Sequence, residues 1–168
     1  MAAKGDGTDG ADRRMRDVSF KPTTKRTALA SATLHASAPS IQAIREGTVP
    51  KGNPLEIAKA AAVMAAKKTT EWIPYCHNIP IEHVDVRFLI EDDRIEVLVS
   101  VTSIAKTGVE MEAMTAASAA ALTMYDMLKM LDDEMEIRSV RLLEKRGGKS
   151  DFALAVSWTA SVLVVSDR

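Results

Sequence analysis

The chain has 168 residues, 22 Lys plus Arg against 23 Asp plus Glu, three His and one Cys. A domain of this length removes about 70% of its unfolded surface from water, so it needs no disulfide or metal to fold. One cysteine excludes an internal disulfide, the few soft ligands argue against a zinc or iron–sulfur site, and a net charge of −1 argues against nonspecific nucleic-acid binding.

The longest apolar runs, residues 60–66 and 116–123, fall far short of the roughly 20 residues that span a bilayer. Residues 1–14 carry no apolar segment and do not read as a secretory signal. The expectation is a cytoplasmic globular protein with no membrane or nucleic-acid partner. Aromatics are only 4%, too sparse for a base-stacking platform, while nine Met and abundant Ala predict helices packed closely through small side chains.

In chain order, residues 1–16 are rich in Gly, Asp and Arg without periodicity and predict a disordered lead. Residues 26–35, with Leu29 and Leu34, predict a short strand. Residues 40–46 predict a short helix capped by Ser40 after Pro39. Residues 47–54 hold two Gly, two Pro and Lys51, and predict a loop. A helix follows over 55–70, its broad apolar face made by Leu55, Ile57, Ala58, Ala61, Ala62, Met64 and Ala65. Residues 72–80 carry two Pro and no period, as a loop does.

Val84, Val86, Phe88 and Ile90 alternate with polar residues, and Ile95, Val97, Val99 and Val101 repeat the pattern after a turn at 91–94. That predicts an antiparallel hairpin. Residues 109–131 contain no Gly or Pro and predict a long helix. Residues 138–144 and 152–158 alternate weakly as strands around a Gly147-Gly148 turn. Strands interleaved with helices around a hairpin predict an α+β fold, a ferredoxin-like sandwich of antiparallel sheet and packed helices, over residues 17–158.

Few residues carry chemistry on their own. Gly148-Lys149-Ser150 ends like a phosphate-binding loop, but the glycine required five positions earlier falls at Leu143. Cys76 and His77 are adjacent and rarely converge, so by residue type Cys76 reads as a small buried side chain. Lys51 alone reads as a solvated charge, and Asp126 with Lys129, three apart on a helix, as a surface pair. Yet Glu112, Asp126 and Lys129 lie on a helix nearly uncharged between residues 113 and 125, and charges surviving on such a rod tend to be paired or functional.

The run from Lys106-Thr-Gly-Val-Glu-Met-Glu112 to Tyr125-Asp126-Met-Leu-Lys129 resembles the long motif of the MoaC family of molybdenum-cofactor biosynthesis. Ile73-Pro-Tyr75-Cys76-His77 resembles the family's Cys–His loop, and Val140-Arg-Leu-Leu-Glu-Lys145 with Gly147-Gly-Lys149-Ser150 its last strand and loop. Asp17-Val-Ser and Lys51-Gly match the remaining anchors, so the similarity covers residues 15–157. The resemblance implies a phosphorus–oxygen lyase that converts 3′,8-cyclo-7,8-dihydro-GTP to cyclic pyranopterin monophosphate with loss of diphosphate. It also implies no cofactor, no metal, and a homo-oligomer: a dimer, then a hexamer built as a trimer of dimers.

Carried over by position, the resemblance implies Asp126 as principal acid/base with Lys51 and Lys129 as catalytic partners. Tyr75, Cys76, His77, Met111 and Glu112 would line the substrate pocket; Arg26, Lys145 and Lys149 would meet phosphates. A triphosphate needs several cations, and a lysine acting as base would need its pKa depressed by burial or neighbouring cations. Asn78, Tyr75, Ala105 and Asn53 depart from the common pattern without removing a charged candidate. The alternative is a nonenzymatic nucleotide-binding or assembly module on the same fold, disfavoured by the joint presence of Lys51, His77, Glu112, Asp126 and Lys129. Residues 159–168 resemble the first strand of the MoaB/MogA family, as though a second domain began there.

Overall fold

The computed structural model describes residues 14–154. Its elements run β1 (Thr24–His35), α1 (Ala38–Glu46), α2 (Pro54–Lys67), α3 (Thr69–Trp72), β2 (His83–Ile90), β3 (Arg94–Ala105), α4 (Glu110–Leu128), β4 (Glu136–Arg146) and β5 (Phe152–Ala153). The strands form one sheet in the order β2-β3-β1-β4-β5, every neighbouring pair antiparallel. This is the ferredoxin-like α+β arrangement that the alternation of strands and helices predicts.

The hairpin β2–β3 is where expected, pairing Val86 with Val99 and Phe88 with Val97. Strict alternation along β3 buries Ile95, Val97, Val99 and Val101 completely, and β1 contributes Ala28, Ala30, Ala32 and Leu34 to the same core. Helix α4 lays Ala113, Ala116, Ala117, Ala120 and Ala121 into that core, with Met124 and Leu128 filling its end. Alanines on both the strand and the helix let the two layers approach closely, so few large rings are needed.

Several boundaries differ from the sequence reading, those of α1 and α2 for a local reason, and β1 begins at Thr24 rather than residue 26. Helix α1 is entered at Ser37 rather than Ser40, because Pro39 is accommodated in the first turn, where a missing N–H costs nothing. Ser40 is fully buried and accepts a hydrogen bond from the Ser37 hydroxyl (3.2 Å), while the Ser37 N–H donates to Asp132 Oδ2 (2.6 Å). Helix α2 ends at Lys67: the Thr69 hydroxyl donates to the carbonyls of Ala65 and Ala66 (3.1 Å each), and a separate turn, α3, takes Trp72 out of the expected loop. Helix α4 stops at Leu128 with Lys129 as its C-cap, short of residue 131. Strand β4 is longer than residues 138–144, with register shifts opposite Leu29/Ala30 and Thr33/Leu34.

The apolar face of α2 divides. Ala58, Ala62 and Ala65 are buried, whereas Ile57 and Met64 are more than half exposed, as is Leu122 on α4. Among the described residues no helix is long and apolar enough to cross a membrane. The expected disordered lead up to residue 13, the part of the last strand over 155–158 and the MoaB-like tail over 159–168 lie outside the described residues.

Candidate active site

The singled-out residues gather at the two ends of α4. At its C-terminal end, Lys51 arrives from the loop before α2, whose Gly52 adopts φ +94° to turn the chain. Lys51 Nζ donates to Asp126 Oδ2 (2.9 Å) and to the Asp126 carbonyl (2.8 Å), one of the acceptors a helix leaves free in its last turn. Lys129, one turn further on, bonds the other oxygen, Oδ1, at 2.6 Å. Hydrogen bonds from Lys129 and then Lys51 lower the Asp126 pKa to about 2, and Asp126 in turn raises that of Lys129. The trio is therefore a carboxylate clamped between two ammonium groups, with Lys129 holding its proton. A depressed lysine is not what Lys129 supplies, since its nearest charge is a carboxylate and not a cation.

Two adjoining clefts open at the other end of α4. The smaller, about 310 Å³, is lined by Cys76, His77, Met111 and Glu112 together with Thr107, Gly108 and Glu110. Glu112 is only 2% exposed; Cys76 Sγ donates to its Oε1 (3.6 Å), and its Oε2 is buried without a hydrogen-bond partner. Burial raises the Glu112 pKa. Burial, and then the Glu112 charge, raise the Cys76 pKa to about 11, so the sulfur is a thiol donor at neutral pH and not a nucleophile. Tyr75 belongs to the same loop but is exposed and lines neither cleft.

The larger cleft, about 530 Å³, is lined by Arg26, Lys145 and Lys149, and shares Thr107, Gly108 and Glu110 with the smaller one. Lys145 pairs with Glu110 (3.3 Å). The turn carrying Lys149 is seated on β1 through Gly147, whose φ is +93°; a Cβ there would collide with the Lys25 carbonyl, and the Thr24 hydroxyl donates to the Gly147 carbonyl (3.0 Å). The structure thus unites Arg26, Lys145 and Lys149, and separately Cys76, His77, Met111 and Glu112, in adjoining spaces.

Sequence reasoning did not single out four further cations of the larger cleft: Arg16, Lys21, Lys106 and Arg146. Lys106 could have been found, since it begins the long motif. Arg16 and Lys21 flank Asp17-Val-Ser in a segment without periodicity, and only tertiary contacts place it: His77 Nε2 bonds the Arg16 carbonyl (2.7 Å) and Lys106 Nζ donates to the Ser19 carbonyl (2.8 Å). A carbonyl oxygen only accepts, so His77 carries its proton on Nε2.

Glu112 and Asp126 are 14 residues apart on one helix, an axial separation of about 21 Å at 1.5 Å per residue. Among the described residues, no group of three or more His, Cys, Asp and Glu is placed to hold a metal ion.

The sequence model of the MoaC family matches residues 15–148. A cyclic pyranopterin monophosphate synthase of Clostridium acetobutylicum is 46% identical over 139 residues, covering 82% of this chain and 86% of that protein. A synthase of the same description from Novosphingobium aromaticivorans is 48% identical over 141 residues, 84% of this chain and 90% of the relative. A molybdenum cofactor biosynthesis bifunctional protein of Chlorobaculum tepidum is 47% identical over 154 residues; the match takes in 92% of this chain but 49% of that one.

Proposed function

The chain belongs to the MoaC family, and from that premise we propose how its two clusters make cyclic pyranopterin monophosphate. The substrate is 3′,8-cyclo-7,8-dihydro-GTP, and diphosphate is released. The observation that carries this reading is the convergence of Lys51 and Lys129 on the two oxygens of Asp126 from segments remote in sequence.

The larger cleft is lined by seven cationic side chains against the single carboxylate of Glu110, a field suited to a triphosphate. Arg26, Lys145 and Lys149 hold the phosphates. The fused ring enters the smaller cleft, where the unpaired Glu112 Oε2 and the Cys76 thiol meet its nitrogen and oxygen groups. During rearrangement Lys129, kept protonated by Asp126, supplies protons and positive charge, and Lys51, oriented by its 2.9 Å hydrogen bond to the Asp126 carboxylate, is the second proton-transfer group. Formation of the cyclic phosphate joins a substrate oxygen to the α-phosphorus as its bond to the diphosphate oxygen breaks. Cations around that oxygen stabilise the departing charge.

One substrate cannot span the roughly 21 Å between Glu112 and Asp126. The site is therefore completed by a second copy: Asp126, Lys51 and Lys129 of one subunit face Glu112 and His77 of its neighbour across a twofold axis. The exposed apolar side chains Ile57 and Met64 on α2 and Leu122 on α4 support such packing. A hexamer, as a trimer of dimers, is the assembly the family resemblance implies.

The test is incubation of the purified chain with the cyclised GTP intermediate, scored for pterin product and diphosphate. Product and diphosphate should appear in equal amounts. A folded oligomer that binds the intermediate without turning it over would instead be a nucleotide-binding module.

A further inference from the structure

Arg16 lines the larger cleft from the segment that precedes β1. Its carbonyl is held by His77 Nε2 at 2.7 Å, so one peptide joins the small cleft, where His77 sits, to the large basic one. The neighbouring cations are partly committed: Lys145 to Glu110, Lys106 to the Ser19 carbonyl, Arg146 to Glu144. Among the described residues no carboxylate pairs with Arg16. A guanidinium held by its own backbone at the wall of an already cationic cleft is repelled by its surroundings until an anion arrives.

We propose that Arg16 is a further substrate-binding residue, its guanidinium gripping the terminal phosphates of the substrate's triphosphate chain, with His77 positioning it through the Arg16 carbonyl. The planar fork of an arginine suits a terminal phosphate, which offers several oxygens to two parallel N–H donors. His77 then has a positioning role besides lining the small cleft, and the same grip retains the departing diphosphate. This inference rests on the reading of the larger cleft as the phosphate site.

The experiment uses the full chain, with inorganic tripolyphosphate as the probe in calorimetry and the cyclised GTP intermediate in turnover. Arg16→Gln should weaken tripolyphosphate about tenfold, the loss expected for one charge-assisted pair, and raise KM by a similar factor with kcat within about twofold. Arg16→Lys should recover only part of the affinity, because a point charge lacks the fork. Arg26→Gln is the control for the cleft. Weakening by Arg26→Gln but not by Arg16→Gln would overturn the role of Arg16 and leave the phosphate site standing. Tripolyphosphate binding untouched by either substitution would remove the phosphate site and the proposal with it. A fall in kcat at unchanged KM for Arg16→Gln would also overturn it, since a phosphate grip acts on binding.

Discussion

Mixed oligomers of two inactive variants offer a quantitative test of the shared site. Glu112→Ala removes a buried carboxylate from one half of the site, and Asp126→Asn removes the charge that holds Lys51 and Lys129 in the other. Asp126→Asn keeps the size of the side chain and acts on an exposed group, so the fold should persist. If each site joins the Asp126 end of α4 from one subunit to the Glu112 end from another, each homo-oligomer is dead. In a mixed dimer one site carries both defects and the other carries none. Random reassembly of equal amounts makes half the dimers mixed, with half of their sites intact, so about a quarter of wild-type activity should return. The assay is co-refolding or tandem-tag purification, with composition checked by native mass spectrometry, followed by product formation per intact site. Verified mixed oligomers with no recovered activity, or a fully active monomer, would refute the shared arrangement. The separation of about 21 Å along α4 would then have to be bridged within one chain.

Lys51→Ala should lower kcat by about 10²–10⁴ while weakening substrate binding far less, because a proton-transfer group acts in the transition state; equal losses would reduce Lys51 to an electrostatic anchor. The Asp126 carboxyl should titrate near pH 2 by carbon-detected NMR: a depressed pKa means that the clamp is intact above the ordinary value of 3.8 and is lost only as pH falls through about 2, and a midpoint near 4 would show no clamp. Cys76 should resist iodoacetamide at pH 7 and react increasingly as pH approaches 11, whereas rapid alkylation at neutral pH would contradict its burial beside Glu112. Gly147→Ala should destabilise the chain by at least about 1 kcal/mol in urea unfolding and raise KM, since φ is +93° and the added Cβ meets the Lys25 carbonyl; unchanged KM and stability would mean that the turn does not hold the phosphate loop.

Much of the architecture was legible in the amino-acid order. The alternation of Val84 to Ile90 and Ile95 to Val101 fixes a hairpin because a strand has a period of two and one face must be buried. The long run without Gly or Pro before Leu128 could hardly be anything but a helix, and its motif identified the family. Local competition decided the boundaries instead. Pro39 is welcome in a first turn, so α1 starts earlier than its serine cap suggested, and the Thr69 hydroxyl draws off the carbonyls that would have continued α2.

For the site, residue types and spacing marked Glu112, Asp126 and Lys129, and the family resemblance added His77, but neither says which of them meet. Lys51 reaches Asp126 across 75 positions, a contact made by the packing of α2 against α4 and by the turn at Gly52. Helical rise, by contrast, separates Glu112 from Asp126, although both belong to one continuous motif. The basic cleft is legible only in three dimensions: its cations come from the segment before β1, from β1, from the β3–α4 loop, from the end of β4 and from the turn that follows it. Nothing periodic marks Arg16 in the chain, because its segment is held by long-range hydrogen bonds, from His77 61 positions away to its own carbonyl and from Lys106 to the Ser19 carbonyl. Patterns of period two or 3.6 are local and survive in sequence, whereas the meeting of charges is long-range and is decided by which strands lie side by side.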